Sequence, residues 1–249
     1  QMKIIWNISA EDIRQVKKVV SDNDNPFLSI RRQKNIDRKG IEVNRDSVIA
    51  TMISCLLTSQ QRSGPNSDVG KFLNILPFPI TYQSLKATSN IDQYTKNILR
   101  ENNLNRYINR ISKFFSNNIQ RIEDGDWTII ETLRQLINTD SKTIEREIAD
   151  QLADQFDGFG PKQSRNFLQA LGLTRYEIPI DSRITNWLNK FDFPVTLTSS
   201  PLGDTGYYHF VLDGIQELCR QADIYPCILD AAIFSSFDNN EWTDDNVRF

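Results

Sequence analysis

In 249 residues the chain has one histidine, three cysteines and no apolar run long enough to span a membrane. A lone imidazole, His209, excludes any metal site built from several histidines and leaves a histidine-based hydrolase resting on that residue alone. Three scattered thiols, Cys55, Cys219 and Cys227, are too few for a four-cysteine iron–sulfur centre and odd in number for a disulfide framework. With no secretory signal visible, the expected location is intracellular, in cytoplasm, nucleoid or nucleus. Glycine and proline are sparse and no tract is compositionally biased, as in an ordinary globular chain. An excess of positive charge is missing too: the formal net charge is −3, which does not advertise a nucleic-acid partner.

Net charge averages over faces, however. Six basic residues lie between Arg31 and Arg45, and six more between Lys96 and Arg121, where Glu101 is the one acid. Each cluster by itself reads as a solvated face; together they supply local positive surface. The chain is long enough to bury a substantial core, in one two-lobed domain or two small ones.

The most informative stretch runs from Phe156 to Leu168. An amphipathic run over 143–156 enters it and a second, over 162–171, leaves it. Only Asp157 to Pro161 separate them, so two helices must reverse through a five-residue hairpin. Gly158 and Gly160 can take positive φ there without steric cost, and Pro161 suits a first helical position. Bare amides at the N-terminus of the second helix form an anion site fit for a nucleic-acid phosphate. Lys162 stands at the same terminus, opposite to the helix end a lysine usually favours, and is a candidate nucleophile. The plain alternative is a surface lysine touching phosphate. Further on, Ile180-Asp181-Ser182-Arg183-Ile184 places an aspartate at the N-cap of a helix reaching Phe191. Such aspartates are usually structural. Here Asp181 follows Lys162 by 19 residues (181 − 162), room for one helix and a return loop, so the two side chains can meet across a cleft.

These residues resemble the helix-hairpin-helix DNA glycosylases, which include endonuclease III and the 8-oxoguanine glycosylases. The family's hairpin pattern, apolar-x-Gly-apolar-Gly-x-Lys, is matched by Phe156, Gly158, Phe159, Gly160 and Lys162; its apolar-Asp-x-x-apolar segment is matched by Ile180, Asp181 and Ile184. Asp157 departs from the proline of many members, and Ser164 from a small apolar residue. The resemblance implies a mainly α, two-lobed fold: a helical-barrel lobe over 46–172 ending in the helix-hairpin-helix (143–171), and a second lobe built from 1–45 and 173–249. It implies Lys162 as a Schiff-base lysine, Asp181 as its assisting carboxylate, and DNA contacts from Gly158, Gly160, Gln163 and Ser164. Too few cysteines for a cluster point away from endonuclease III and towards the 8-oxoguanine type.

Elsewhere the pattern predicts an extended or strand-like opening over 3–6, a helix over 10–21, and a basic segment too polar for a core. An apolar helix from Asp46 or Ser47, with one buried stripe, ends in Leu57-Thr58-Ser59-Gln60. This matches the family's Leu-x-x-Gln, so Gln60, with its neighbour Gln61, is the residue expected to enter the duplex beside the extruded base. Short helices follow over 67–76, 81–88, 91–100, 104–119 and 128–137; after a linker over 194–201, two more run over 206–222 and 225–237. In related 8-oxoguanine enzymes a C-terminal helix lines the base pocket, which nominates Asp230 for hydrogen bonds and Phe234 or Phe237 for stacking. The core reading of both rings competes with that one.

The implied activity is base-excision repair by a bifunctional glycosylase and AP lyase acting, as a monomer, on damaged double-stranded DNA, with 8-oxoguanine the expected lesion. Oxidised pyrimidines, or a helix-hairpin-helix module that only holds DNA, are the alternatives. No organic cofactor or resident metal is implied; hairpin carbonyls in such motifs can hold a monovalent cation.

Overall fold

The computed structural model describes residues 2–239 and 241–247, and among these it has helices and no strand. Residues 2–9 have no regular secondary structure. Ser9 opens α1 (Ala10–Asp22) through a capping box with Asp12. The basic segment, expected to be too polar for a core and partly strand, begins instead in α2 (Pro26–Arg31), capped by Asn25, and runs into a π-helical turn over Arg32–Ile36. Of its basic residues, Arg32, Lys39 and Arg45 are exposed, whereas the others are absorbed by the fold. Arg31 pairs with Asp230, Lys34 donates to the Ala170 carbonyl and Arg38 to the Gly172 carbonyl, while Asn35 is buried.

Asn44 caps α3 (Arg45–Leu57). Val48, Ile49, Met52, Ile53, Cys55, Leu56 and Leu57 are all buried, so this helix hides more than the one stripe its spacing suggests. The reason is its central place, packed by helices on several sides. Around it run α4 (Asp68–Leu73), α5 (Tyr82–Ala87), α6 (Ile91–Glu101), α7 (Ile108–Asp124) and α8 (Ile129–Arg134). The helix expected from Leu104 begins only at Ile108, because Leu104 to Tyr107 form a turn that closes with Tyr107 left-handed. Then come α9 (Lys142–Gln155), the hairpin, α10 (Pro161–Ala170), α11 (Ser182–Lys190), α12 (Thr205–Ala222) and α13 (Pro226–Ser236).

Two hydrophobic clusters result. One is drawn from residues between Val43 and Leu173, the other from Val16 to Leu28 together with Ile178 to Val247. Burial of these apolar surfaces is the main favourable term in such a fold. The chain crosses between the clusters along the connector 174–181, and the side chains argued for above gather at that crossing. The three cysteines are buried and unpaired, and burial pushes their thiols up. Among the described residues no helix is long and apolar enough to cross a membrane.

Candidate DNA-binding and catalytic site

The hairpin between α9 and α10 is moored from beneath. Asp157 accepts from Asn117 and Arg121, both at 2.8 Å, and its amide donates to Asn118 Oδ1 at 2.8 Å. Those side-chain hydrogen bonds hold the Asp157 carboxyl below its ordinary range. The residue that departs from the family's proline therefore fastens the hairpin to α7. It also pairs Arg121, and Lys96 is likewise paired with Asp92, so Arg100, Arg106, Arg110 and Lys113 are the exposed members with no ion pair among the described residues.

The two hairpin glycines differ. Gly158 has φ +78°, and a Cβ there would lie 2.7 Å from Leu56 and Phe114; both backbone and packing demand glycine. Gly160 does not use the positive φ that sequence reasoning allowed it: its backbone is extended (φ −125°), because as N-cap it turns the chain into Pro161. A Cβ at Gly160 would meet nothing within 4 Å. The fold leaves that side open, and no side chain caps α10. The amides of Lys162 and Gln163 have no acceptor among the described residues, so the dipole's positive end faces outward unquenched.

Asp181 is the N-cap of α11. Its Oδ1 accepts the amides of Arg183 and Ile184 at 2.9 and 3.0 Å, while Oδ2 takes no hydrogen bond among the described residues. Lys162 and Asp181 line the same cavity of about 130 Å³, and both also line the broad groove above it. Neither is engaged in an ion pair among the described residues.

Gln60, Gln61, Gly158, Gly160 and Gln163 face that groove with them. Gln60 is exposed at its lip with φ +62°, an uncommon backbone for a residue with a side chain. Gln61 is held by its Nε2 to the Leu57 carbonyl at 3.0 Å. Gln163 accepts from Asn166 and leaves its own Nε2 buried without a partner. Ser164 lies outside the groove: it is fully buried, its hydroxyl donates to the Pro161 carbonyl at 3.0 Å, and its amide is spent on Gly160.

Of the three residues nominated for a base pocket, Asp230 and Phe234 line the cavity and Phe237 only the groove. Asp230 Oδ2 accepts from Arg31 at 2.6 Å and Gln169 at 2.8 Å; burial raises its carboxyl against the pull of Arg31. Phe234 is already covered, by Arg183 at 4.0 Å from the ring centre and by Phe27 stacked at 5.2 Å. Sequence reasoning missed Phe27, Arg31, Lys34 and Gln169, which also line the cavity. Burial and the neighbouring Arg31 lower the Lys34 amine. It also missed Arg106, which lines the groove; Arg106 and Arg110 both lie over the ring of exposed, left-handed Tyr107, at 4.8 and 4.5 Å. The signal was an aromatic between arginines one and three positions away, hidden inside a run read as plain helix. As to a cation at the hairpin, the carbonyls of Phe156 and Asp157 already accept from Phe159 and Asn118.

No protein-family model matches the sequence, and no curated protein matches it. The fold does match a solved one: the crystal structure of the 8-oxoguanine DNA glycosylase of Thermotoga maritima superposes with a TM-score of 0.61 over 91% of this chain and 95% of that one, at 15% sequence identity. The chain therefore has the all-helical helix-hairpin-helix glycosylase fold.

Proposed function

We propose that the chain is a base-excision-repair DNA glycosylase with AP-lyase activity, acting on an oxidised base in duplex DNA, 8-oxoguanine first among them. The observation that carries this reading is the convergence of Lys162 and an Asp181 with one unengaged oxygen on a single cavity beneath a groove lined by bare helix amides. A binding module has no use for that pair. The likeness to a solved 8-oxoguanine enzyme supports the same substrate class.

The α10 amides and the open side of Gly160 receive a backbone phosphate. Gln60 enters the stack and offers its amide to the orphaned base, and Arg106 meets the duplex backbone from the same groove. The extruded nucleoside occupies the cavity, placing C1′ by Lys162. The amine nitrogen bonds to C1′ while the glycosidic bond breaks, its electron pair leaving with the base, which takes up a proton. Asp181 stabilises the positive charge growing on the sugar and accepts the proton shed by the new C–N linkage. Opening of the sugar gives the imine, whose acidified C2′–H is lost as the 3′ phosphate is eliminated.

A panel of duplexes, each with one defined lesion, tests this under single-turnover conditions. Strand cleavage at 8-oxoguanine is expected, abolished by Lys162→Gln with duplex binding retained. Cleavage only at oxidised pyrimidines moves the substrate; a uniform loss of affinity with no cleavage by wild type leaves only a DNA-holding module.

A further inference from the structure

The connector 174–181 carries Asp181 into the site, yet it has no regular structure and its middle is buried. Buried backbone without a helix or sheet must find its partners elsewhere. It finds them on α9 and α12, while α10 holds the Glu177 side chain. From α9, the fully buried Glu145 carboxylate accepts the amides of Arg175, Tyr176 and Glu177 at 2.8, 2.8 and 3.0 Å. From α12, Tyr208 (fully buried) donates its hydroxyl to the Ile178 carbonyl at 2.8 Å and accepts the Ile180 amide at 2.8 Å. From α10, Arg165 donates to the Glu177 carboxylate at 2.9 Å, and its guanidinium lies 5.1 Å from the Tyr208 ring centre.

The register of these contacts is informative. Arg165 lies three residues after Lys162 on the same helix but is fully buried, and Tyr208 holds the Ile178 carbonyl and the Ile180 amide, just ahead of Asp181. Amine and carboxylate are thus joined through Arg165, Glu177 and Tyr208 on the side of the site away from the groove. None of the three lines the cavity or the groove.

We propose that Tyr208, backed by Arg165 and Glu145, is a positioning residue that sets where the Asp181 carboxylate stands relative to the Lys162 amine. This rests on the glycosylase reading above. Tyr208→Phe removes one oxygen and keeps the ring. At saturating duplex, well below the melting temperature, single-turnover cleavage is expected to fall roughly ten- to a hundredfold, as for a small misplacement of a catalytic group. The dissociation constant for DNA should stay within about twofold, since no groove residue changes. In an Asp181→Asn background the same substitution should cost nothing further, because it acts through that carboxylate.

Unchanged cleavage by Tyr208→Phe, or losses that multiply in the double variant, overturns the proposal while leaving the glycosylase intact. Wild type that cleaves no lesion duplex sinks the glycosylase and this inference with it. Should Tyr208→Phe not fold, Arg146→Lys serves instead. Arg146 is half-buried and holds the other Glu177 oxygen at 2.9 Å, so the same pattern is expected at about threefold. Full activity there overturns the proposal equally.

Discussion

Two helices open onto the groove, and their N-termini are finished in opposite ways. At α11 a side chain closes the end: Asp181 takes two amides on one oxygen and keeps the other for the cavity. At α10 nothing closes it: Gly160 has an extended backbone, open space around it and no capping atom. An N-cap side chain at Gly160 would be sterically free and slightly stabilising, yet the chain does without one. The contrast teaches that an uncapped helix end is a site only when its surroundings leave it open. The negative charge that completes α10 has to come from outside, and a phosphate is suited to it. The carboxylate that completes α11 is internal and does a second task.

The comparison breaks most severely at the amine. Lys162→Gln keeps the helix and its free amides but has no nucleophile; cleavage is expected to fall at least about 10³-fold in single-turnover assays, with DNA affinity little changed. Asp181→Asn comes next. Asparagine caps as well as aspartate, so the melting temperature should hold while cleavage falls about 10²-fold; a lost fold would show that the residue is only a cap.

A third substitution makes the two termini alike. Gly160→Asp gives α10 the cap that α11 has. Thermal unfolding should show a gain of a few tenths of a kcal/mol, and duplex affinity should fall at least about tenfold as the carboxylate takes the phosphate's place. Tighter or equal binding would remove the phosphate from α10. Gly158→Ala is the control: with φ +78° and a 2.7 Å contact awaiting its Cβ, it should destabilise by about 1–3 kcal/mol.

The smallest effect concerns the connector behind α11. Burial pushes the Glu145 carboxyl up to about 7, against three amide hydrogen bonds that pull it down. An acid with a folded value above its unfolded one, about 4.3, holds its proton more tightly when folded. Its contribution is complete below the unfolded value and lost as pH rises through about 7. Urea unfolding at pH 5 and pH 8 should show wild type losing stability relative to Glu145→Gln, by on the order of 1 kcal/mol, across that interval.

The parts of this picture that could be read from sequence are those whose physics is local. Glycine, proline and lysine at fixed offsets define the hairpin, and the N-cap aspartate before Ser182 needs only its own helix; these stand where the sequence puts them. What escaped depends on partners far along the chain. The basic segment from Arg31 looks too polar for a core until Arg31 meets Asp230, 199 residues away, and Lys34 meets the Ala170 carbonyl. Burial of Ser164 inside the hairpin, coverage of Phe234 by Arg183, and the left-handed turn at Tyr107 are tertiary outcomes that periodicity does not carry.

The most direct test of the central claim is covalent capture. Wild type reduced with borohydride on a duplex bearing 8-oxoguanine or an abasic site should give a protein–DNA adduct whose peptide mass map places the linkage on Lys162, and Lys162→Gln should give none. An adduct formed equally well by the Lys162→Gln protein, or mapped to another amine, would contradict the account.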